Sequence, residues 1–251
     1  GYTALNQFSN AINHYKAALK LEPKNAEVLN NLGLTFKAIG DFKKANECFE
    51  NSISIKPNFA EAFNNMALSL KEERKFEKAI VSLEKAIALK NNYAEAYYNL
   101  GNVYNLLGEL EKSINMFTRA IDIKSDYFDA YNNLGAVYNL KKDYEKAYQN
   151  IQKAISLNPN NADAYNNLGT SALNLNKEDE AFAHYNKAIS IDPKLIIAYS
   201  NLCGLFEKSN NLKKFENILE KTKELKLDQF GEIKFHEAQL FSRKKDFDRS
   251  I

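Results

Sequence analysis

The stretch AEAYYNLGNVYNLLGEL, Ala94–Leu110, decides how this chain is read. Tyr97, Leu100, Gly101 and Tyr104 recur at i, i+3, i+4 and i+7, the apolar stripe of one helix. Gly108-Glu109 interrupts it, and Ser113, Phe117, Ala120, Ile121 and Ile123 give the stripe of a second helix. That helix stops at Asp126, or in other copies at Pro57, Pro159 and Pro193, where proline forbids continuation.

Working outward, the same pattern returns every 34 residues. AEVLNNLGLTFKAIGDF starts at Ala26, AEAFNNMALSLKEERKF at Ala60, FDAYNNLGAVYNLKKDY at Phe128 and ADAYNNLGTSALNLNKE at Ala162, with a weaker IIAYSNLCGLFEKSNNL at Ile196. The repeats are therefore 26–59, 60–93, 94–127, 128–161, 162–195 and 196–229, flanked by partial ones at 1–25 and 230–251. Gly33, Ala67, Gly101, Gly135, Gly169 and Cys203 share one first-helix position, and Ala45, Ala79, Ser113, Ala147 and Ala181 one second-helix position. Glycine inside a helix costs roughly 1 kcal/mol relative to alanine. Its recurrence predicts a large partner pressed against it, and Phe49, Leu83, Phe117, Ile151 and Tyr185 stand at the right place.

This pattern of a large residue, Leu-Gly, an aromatic, Ala, an aromatic, Ala and Pro resembles the tetratricopeptide repeat family, over six copies from Ala26 to about Gln229. The family's usual tryptophan is absent, with Leu29, Phe63, Tyr97, Tyr131, Tyr165 and Tyr199 in its place. The resemblance implies an all-α, right-handed superhelical solenoid of antiparallel helix pairs whose first helices line the inner wall.

The ends match half-repeats. Phe8, Ala11, Tyr15, Ala18 and Pro23 fall in second-helix register, which puts Gly1 inside a first helix. From Gly231, Ala238, Phe241 and Phe247 fall in register once one residue is inserted, which puts Ile251 inside a second helix. Such ends suggest a piece of a longer chain, since solenoids carry polar caps. The repeat from Ile196 is degenerate, with Phe215 for the small residue and Leu227 for the proline.

Composition narrows the chemistry. Hydrophobic residues are 45% and charged residues 26% of 251, with only 9 Gly and 4 Pro, which fits helices with short connections. A net charge of +2 leaves no footprint for nucleic acid, and no run is apolar and long enough to span a membrane. No signal peptide is visible in Gly1–Asn10. Cys48 and Cys203 lie far apart in any such array, so neither a disulfide nor a cysteine metal site is expected, and a reducing, cytoplasmic setting is. His14 and His184 share one position five repeats apart and read as exposed second-helix residues. With no metal-ligand cluster, no phosphate loop and no nucleophile motif, neither a cofactor nor an enzyme activity is expected in this chain. Glu72-Glu73 and Glu178, Glu180 read as solvated charges.

The asparagines carry the functional expectation. Asn31, Asn65, Asn99, Asn133, Asn167 and Asn201 occupy one first-helix position in all six copies, and Asn30, Asn64, Asn132 and Asn166 precede four of them. Asparagine is a poor helix-interior residue, so its recurrence points to a geometrical use. Its carboxamide can take a peptide N–H and C=O together, or bridge adjacent repeats, and both uses can coexist. The row resembles the inner asparagine ladder of the O-linked N-acetylglucosamine transferase array, which implies gripping of a peptide backbone. Glu27, Glu61, Glu95, Asp129 and Asp163 lie four residues before the first five ladder asparagines, where they favour the helix N-terminus or bias the groove toward neutral or basic segments. Lys37 and Lys71 lie further along, with Asn105 and Asn139 in their place in the next two copies. The carboxylate clamp of chaperone-tail binders would need basic residues near Glu61, Glu95, Asn99 and Asn133, which are acidic or amide here.

The expected function is a protein–protein interaction scaffold holding an extended or helical peptide segment in its concave groove. The alternative is the substrate-recruiting arm of a larger enzyme, a glycosyltransferase or a sulfotransferase; FHEAQLFSRKKDFDRSI, Phe235–Ile251, is similar to repeats found with the latter. A third reading is self-association through the array ends.

Overall fold

The computed structural model describes residues 2–208 and 211–248, with side chains for residues 7–208 and 211–242. Among these residues all regular structure is helical, in fourteen helices. They are α1 (Tyr2–Leu21), α2 (Ala26–Ala38), α3 (Phe42–Ile55), α4 (Ala60–Glu72), α5 (Phe76–Leu89), α6 (Ala94–Leu106), α7 (Leu110–Ile123), α8 (Phe128–Leu140), α9 (Tyr144–Leu157), α10 (Ala162–Asn174), α11 (Glu178–Ile191), α12 (Ile196–Lys208), α13 (Leu212–Glu224) and α14 (Gly231–Asp248). The chain divides into two compact units, Gly1–Ser125 with α1–α7 and Asp126–Ile251 with α8–α14.

Each repeat is one hairpin, and its closure follows from local chemistry. First helices end in a left-handed residue: Gly40 and Gly108 in two, Arg74, Lys142 and Asn176 in three others. The amides just beyond turn back onto the last turn, as Asp41 N does to Phe36 O and Gly40 N to Lys37 O. Second helices open on side-chain caps where the sequence supplies one, with Asp41 accepting from Lys44 N and Asp143 from Lys146 N.

The hairpin is held by the contact that the glycines predict. Gly33 lies against Phe49, Gly101 against Phe117, Gly135 against Ile151 and Gly169 against Tyr185. A Cβ on Gly101 would stand 2.7 Å from Phe117 Cε1 and 3.2 Å from its Cγ, so the ring fills the space a side chain would need. Phe49, Leu83, Phe117, Ile151 and Tyr185 are essentially solvent-free, as are Ala45, Ala79, Ser113, Ala147 and Ala181 beside them.

In each unit, first helices touch the next first helix: α2 with α4 and α4 with α6, then α8 with α10, α10 with α12 and α12 with α14. Consecutive second helices keep their backbones further apart and meet through side chains, as the Tyr148 hydroxyl of α9 does with Glu180 of α11. First helices that pack closer than second helices lie on the inner side of the bend within each unit.

Two expectations at the ends are corrected. Residues 2–21 form one unbroken helix, so the chain does not turn before Phe8; no glycine or proline stands in Tyr2–Gln7 to end it. Likewise α14 runs from Gly231 to Asp248 without the turn expected before Phe247, across an Arg-Lys-Lys-Asp stretch with no local breaker. Gly1 and Ile251 themselves lie outside the described residues, as does the side chain of Phe247. The lost proline at Leu227 has a replacement: α13 ends with Lys226 left-handed, Leu227 N bonded to Thr222 O, and Leu227 buried.

Cys48 and Cys203 are free and buried, one in each unit. Burial pushes the Cys48 thiol up to about 11 and the Cys203 thiol to about 12. No helix among the described residues is long and apolar enough to cross a membrane.

Gly101→Ala should lower stability. Overpacking costs about 1–3 kcal/mol, against roughly 1 kcal/mol of gained helix propensity, and adding Phe117→Leu should recover part of the loss. Gly204→Ala, with nothing within 4 Å of the new Cβ, should instead stabilise by up to about 1 kcal/mol. Urea unfolding of the three variants measures both signs.

Candidate functional site

The repeated asparagines lie where the first helices meet. Four ladder asparagines, two in each unit, reach back to the residue preceding their counterpart in the repeat before. Asn65 Nδ2 donates to Asn30 Oδ1 at 3.0 Å and Asn99 Nδ2 to Asn64 Oδ1 at 2.8 Å in the first unit. In the second, Asn167 Nδ2 donates to Asn132 Oδ1 at 3.2 Å and Asn201 Nδ2 to Asn166 Oδ1 at 2.8 Å. The acceptors Asn30, Asn64, Asn132 and Asn166 are buried. The donors Asn65, Asn99, Asn167 and Asn201 are half-buried, as is Asn133 at the same position of α8. Asn31 is exposed, and its side chain makes no hydrogen bond among the described residues.

The bridges leave the donors with capacity. A carboxamide has two N–H groups and an oxygen with two lone pairs. Each bridge uses one N–H, so the second N–H and Oδ1 of the ladder residues are not consumed by it. The amide is also fixed in orientation, because its bonded N–H is tied to a buried partner.

The ladder has a last rung that sequence reading missed. Ser200 stands where Asn166 does in the preceding copy, and its Oγ shares a 3.0 Å hydrogen bond with His236 Nε2 on α14. The separation is 36 residues where the amide bridges have 35, which matches the one inserted residue. The signal was present as a hydrogen-bonding residue beside the Ile233 and Leu240 stripe, but the insertion hid its register. His236 is buried among α12, α13 and α14, with its Nδ1 lacking a partner and its ring edge-on to Phe215. Burial holds its pKa below the usual histidine value, against an opposing pull from Glu207.

His184 also departs from expectation. It is half-buried, with Tyr148 and Tyr165 as ring neighbours at 6.4 and 6.3 Å, while His14 is exposed. The tyrosines of α9 and α10 supply the cover, and desolvation lowers its pKa. Glu180 accepts from the Tyr148 hydroxyl at 2.7 Å. Glu73 accepts from Asn46 at 2.6 Å and pairs with Lys75, so it is less solvated than its place in a turn suggested.

The acidic row differs between the units. In the first, Glu27 meets Lys56 at 2.5 Å and Glu61 meets Lys90 at 3.4 Å. Those lysines also lie over the Phe59 and Tyr93 rings, each 4.5 Å from the centroid. In the second, the lysine positions hold Asn158 and Asp192, and Asp129 and Asp163 make no ion pair among the described residues. Beyond the ladder, Asn139 donates to Asn167 O at 3.1 Å and accepts from Ser171 Oγ at 2.9 Å, a second polar tie between α8 and α10. Lys37 is half-buried, and desolvation lowers its pKa. No group of three His, Cys, Asp or Glu among the described residues could hold a metal.

A family profile described as TPR repeat matches residues 2–40, 72–108 and 101–142, and two described as tetratricopeptide repeat match 126–194 and 26–59. Among solved structures, MamA is 30% identical, with 65% of this chain and 95% of that chain covered and a TM-score of 0.60. YrrB, described as a TPR protein with an unusual peptide-binding site, is 18% identical, with 73% and 95% covered and a TM-score of 0.60. PilF of Pseudomonas aeruginosa is 18% identical, with 85% and 97% covered and a TM-score of 0.73. Comparison with curated protein sequences gives no match.

Two outcomes are expected. Asn64→Ala strands the Asn99 amide and should cost about 1–3 kcal/mol by urea unfolding. A folded-state pKa below the unfolded value of about 6.5 means the unfolded chain binds the proton first. The contribution of neutral His236 is therefore complete above that pH and lost as pH falls through the window beneath it. His184 acts with the same sign, so melting from neutral to acid pH should lose part of its slope in His236→Gln and part in His184→Gln.

Proposed function

The chain belongs to the tetratricopeptide repeat family, and from that premise we propose that it is a protein-binding scaffold that takes an extended peptide segment along the first-helix face of its repeats. The carrying observation is the bridged ladder. Asn65, Asn99, Asn167 and Asn201 each have one N–H tied to the preceding repeat, which fixes the amide and leaves an N–H and Oδ1 for a ligand. A donor and an acceptor at one position of successive repeats suit the N–H and C=O of a peptide main chain, whatever its side chains. Fixing the amides in advance lowers the ordering cost of binding.

The buried row of Asn30, Asn64, Asn132 and Asn166 takes a supporting part. These side chains hold the ladder in place, and the peptide contacts fall to Asn31, Asn65, Asn99, Asn133, Asn167 and Asn201. The Glu27–Lys56 and Glu61–Lys90 pairs offset the negative charge of the acidic row in the first unit, which favours a neutral main chain over a charged motif there. The peptide-binding site described for YrrB, on the same fold, supports this class of ligand.

Asn31 gives a clean test because its amide supports no bridge. Peptides selected on the chain from a phage-displayed random library should bind Asn31→Ala several-fold more weakly, with the melting temperature unchanged. N-methylation of their backbone should abolish binding, whereas side-chain substitutions should have little effect. Binders indifferent to both Asn31→Ala and N-methylation would refute main-chain gripping.

A further inference from the structure

The cleft between the second helices α3 and α5 lacks the rings that fill its counterparts, and we infer that it seats an aromatic side chain, phenylalanine or tyrosine, of a partner protein.

The counterparts show what belongs there. Between α9 and α11 the facing positions are Tyr148 and His184, whose rings lie 6.4 Å apart. Between α11 and α13 they are Phe182 and Ile218, and Phe182 lies 5.7 Å from the Phe206 ring of α12 beneath. Between α3 and α5 the same two positions hold Asn46 and Ser82, and the place of Phe206 is taken by Leu70 of α4. The smaller side chains leave a cleft of about 530 Å³, within the roughly 300–1,000 Å³ of ligand pockets.

Its floor is uncovered as a result. Met66 of α4 is only half-buried, whereas Leu32, Leu100, Leu134, Leu168 and Leu202 at its position are all buried. A thioether adapts its shape and makes favourable contacts with ring edges. Asn46 is tied by a 2.6 Å bond from Nδ2 to Glu73 Oε2, and its Oδ1 is buried without a hydrogen-bond partner. At the rim, Val81 is 65% exposed.

The cations select a ring over an aliphatic group. Lys177 lies 4.8 Å from the Tyr148 ring, and Lys214 lies 5.4 Å from that of Phe182. Their counterparts here are Lys75 and Lys78, and both border the cleft. Lys75 is paired with Glu73, as Lys177 is with Glu180, so the pairing does not prevent a ring contact. Lys44, Lys112, Lys146 and Lys214, at the position of Lys78, also cover Phe36, Tyr104, Tyr138 and Phe206. Leu70 stands where those four rings do, so neither Lys75 nor Lys78 has an aromatic beneath it among the described residues. A partner's ring would complete the cation–π contact that the chain itself makes elsewhere. The cleft belongs to second helices and to the first unit alone, so this site is separate from the amide ladder and does not rest on it.

Peptides from a phage-displayed random library test this when they are depleted on Asn46→Tyr/Ser82→His and then selected on the wild-type chain. The double variant fills the cleft as Tyr148 and His184 fill theirs, and it keeps the ladder, so peptides held by the ladder are removed. The survivors should carry Phe or Tyr and bind about tenfold more weakly once that residue is changed to Ala. They should bind Lys78→Ala several-fold more weakly. With methyl-labelled methionine, NMR should show the Met66 signal shifted by the bound ring and that of Met116, the chain's other methionine, unmoved. Circular dichroism checks the double variant, and Val81→Glu on the exposed rim replaces it for depletion if it does not fold. An empty selection, survivors without an aromatic residue, or survivors that leave Met66 unmoved overturn the proposal while leaving the peptide groove standing. Self-association of the wild-type chain that the double variant abolishes would put a second copy in the cleft and overturn the assignment to a separate partner.

Discussion

The structure depends on one close approach. In each glycine-bearing repeat an aromatic or aliphatic side chain of the second helix lies on the bare backbone of the first, as Phe117 does on Gly101. This brings the two helices nearer than side chains on both would permit. The helix propensity lost at glycine is offset by burial of a whole ring or branched side chain. Because the contact recurs at fixed spacing, every hairpin has similar geometry, and hairpins of similar geometry stack with their first helices in mutual contact.

That contact between first helices makes the amide ladder possible. A buried asparagine without a partner is costly, so Asn30, Asn64, Asn132 and Asn166 are tolerated only because the next repeat supplies a donor. The same bond sets the register between neighbouring hairpins, which apolar packing alone would leave freer to slide. Structure and proposed recognition therefore use different atoms of the same residues.

Much of this was legible in the sequence, for identifiable reasons. The 34-residue period, the hairpin and the pairing of small with large residues follow from helical spacing and volume. The ladder positions were plain, and the repeated Asn-Asn dipeptide held the clue to the bridges, whose 35-residue span is one period plus one. Composition cannot say which atom of an amide points where, so bridging and gripping stayed open. His236 was hidden because an inserted residue broke the period. The ends misled because turn formation is a tertiary matter here: Arg74 and Lys142 adopt left-handed turns under a packed second helix, whereas the similar Arg-Lys-Lys-Asp run in α14 continues as helix.

The cysteines give the fold an internal pair of gauges. Each unit holds one sulfhydryl, sealed in its interior and kept protonated well above neutrality. Since only the thiolate reacts, an alkylating reagent meets either sulfur when the unit around it opens. Labelling at Cys48 therefore clocks the opening of the amino-terminal half and labelling at Cys203 that of the other. One native chain thus reports whether its halves come apart together or in turn.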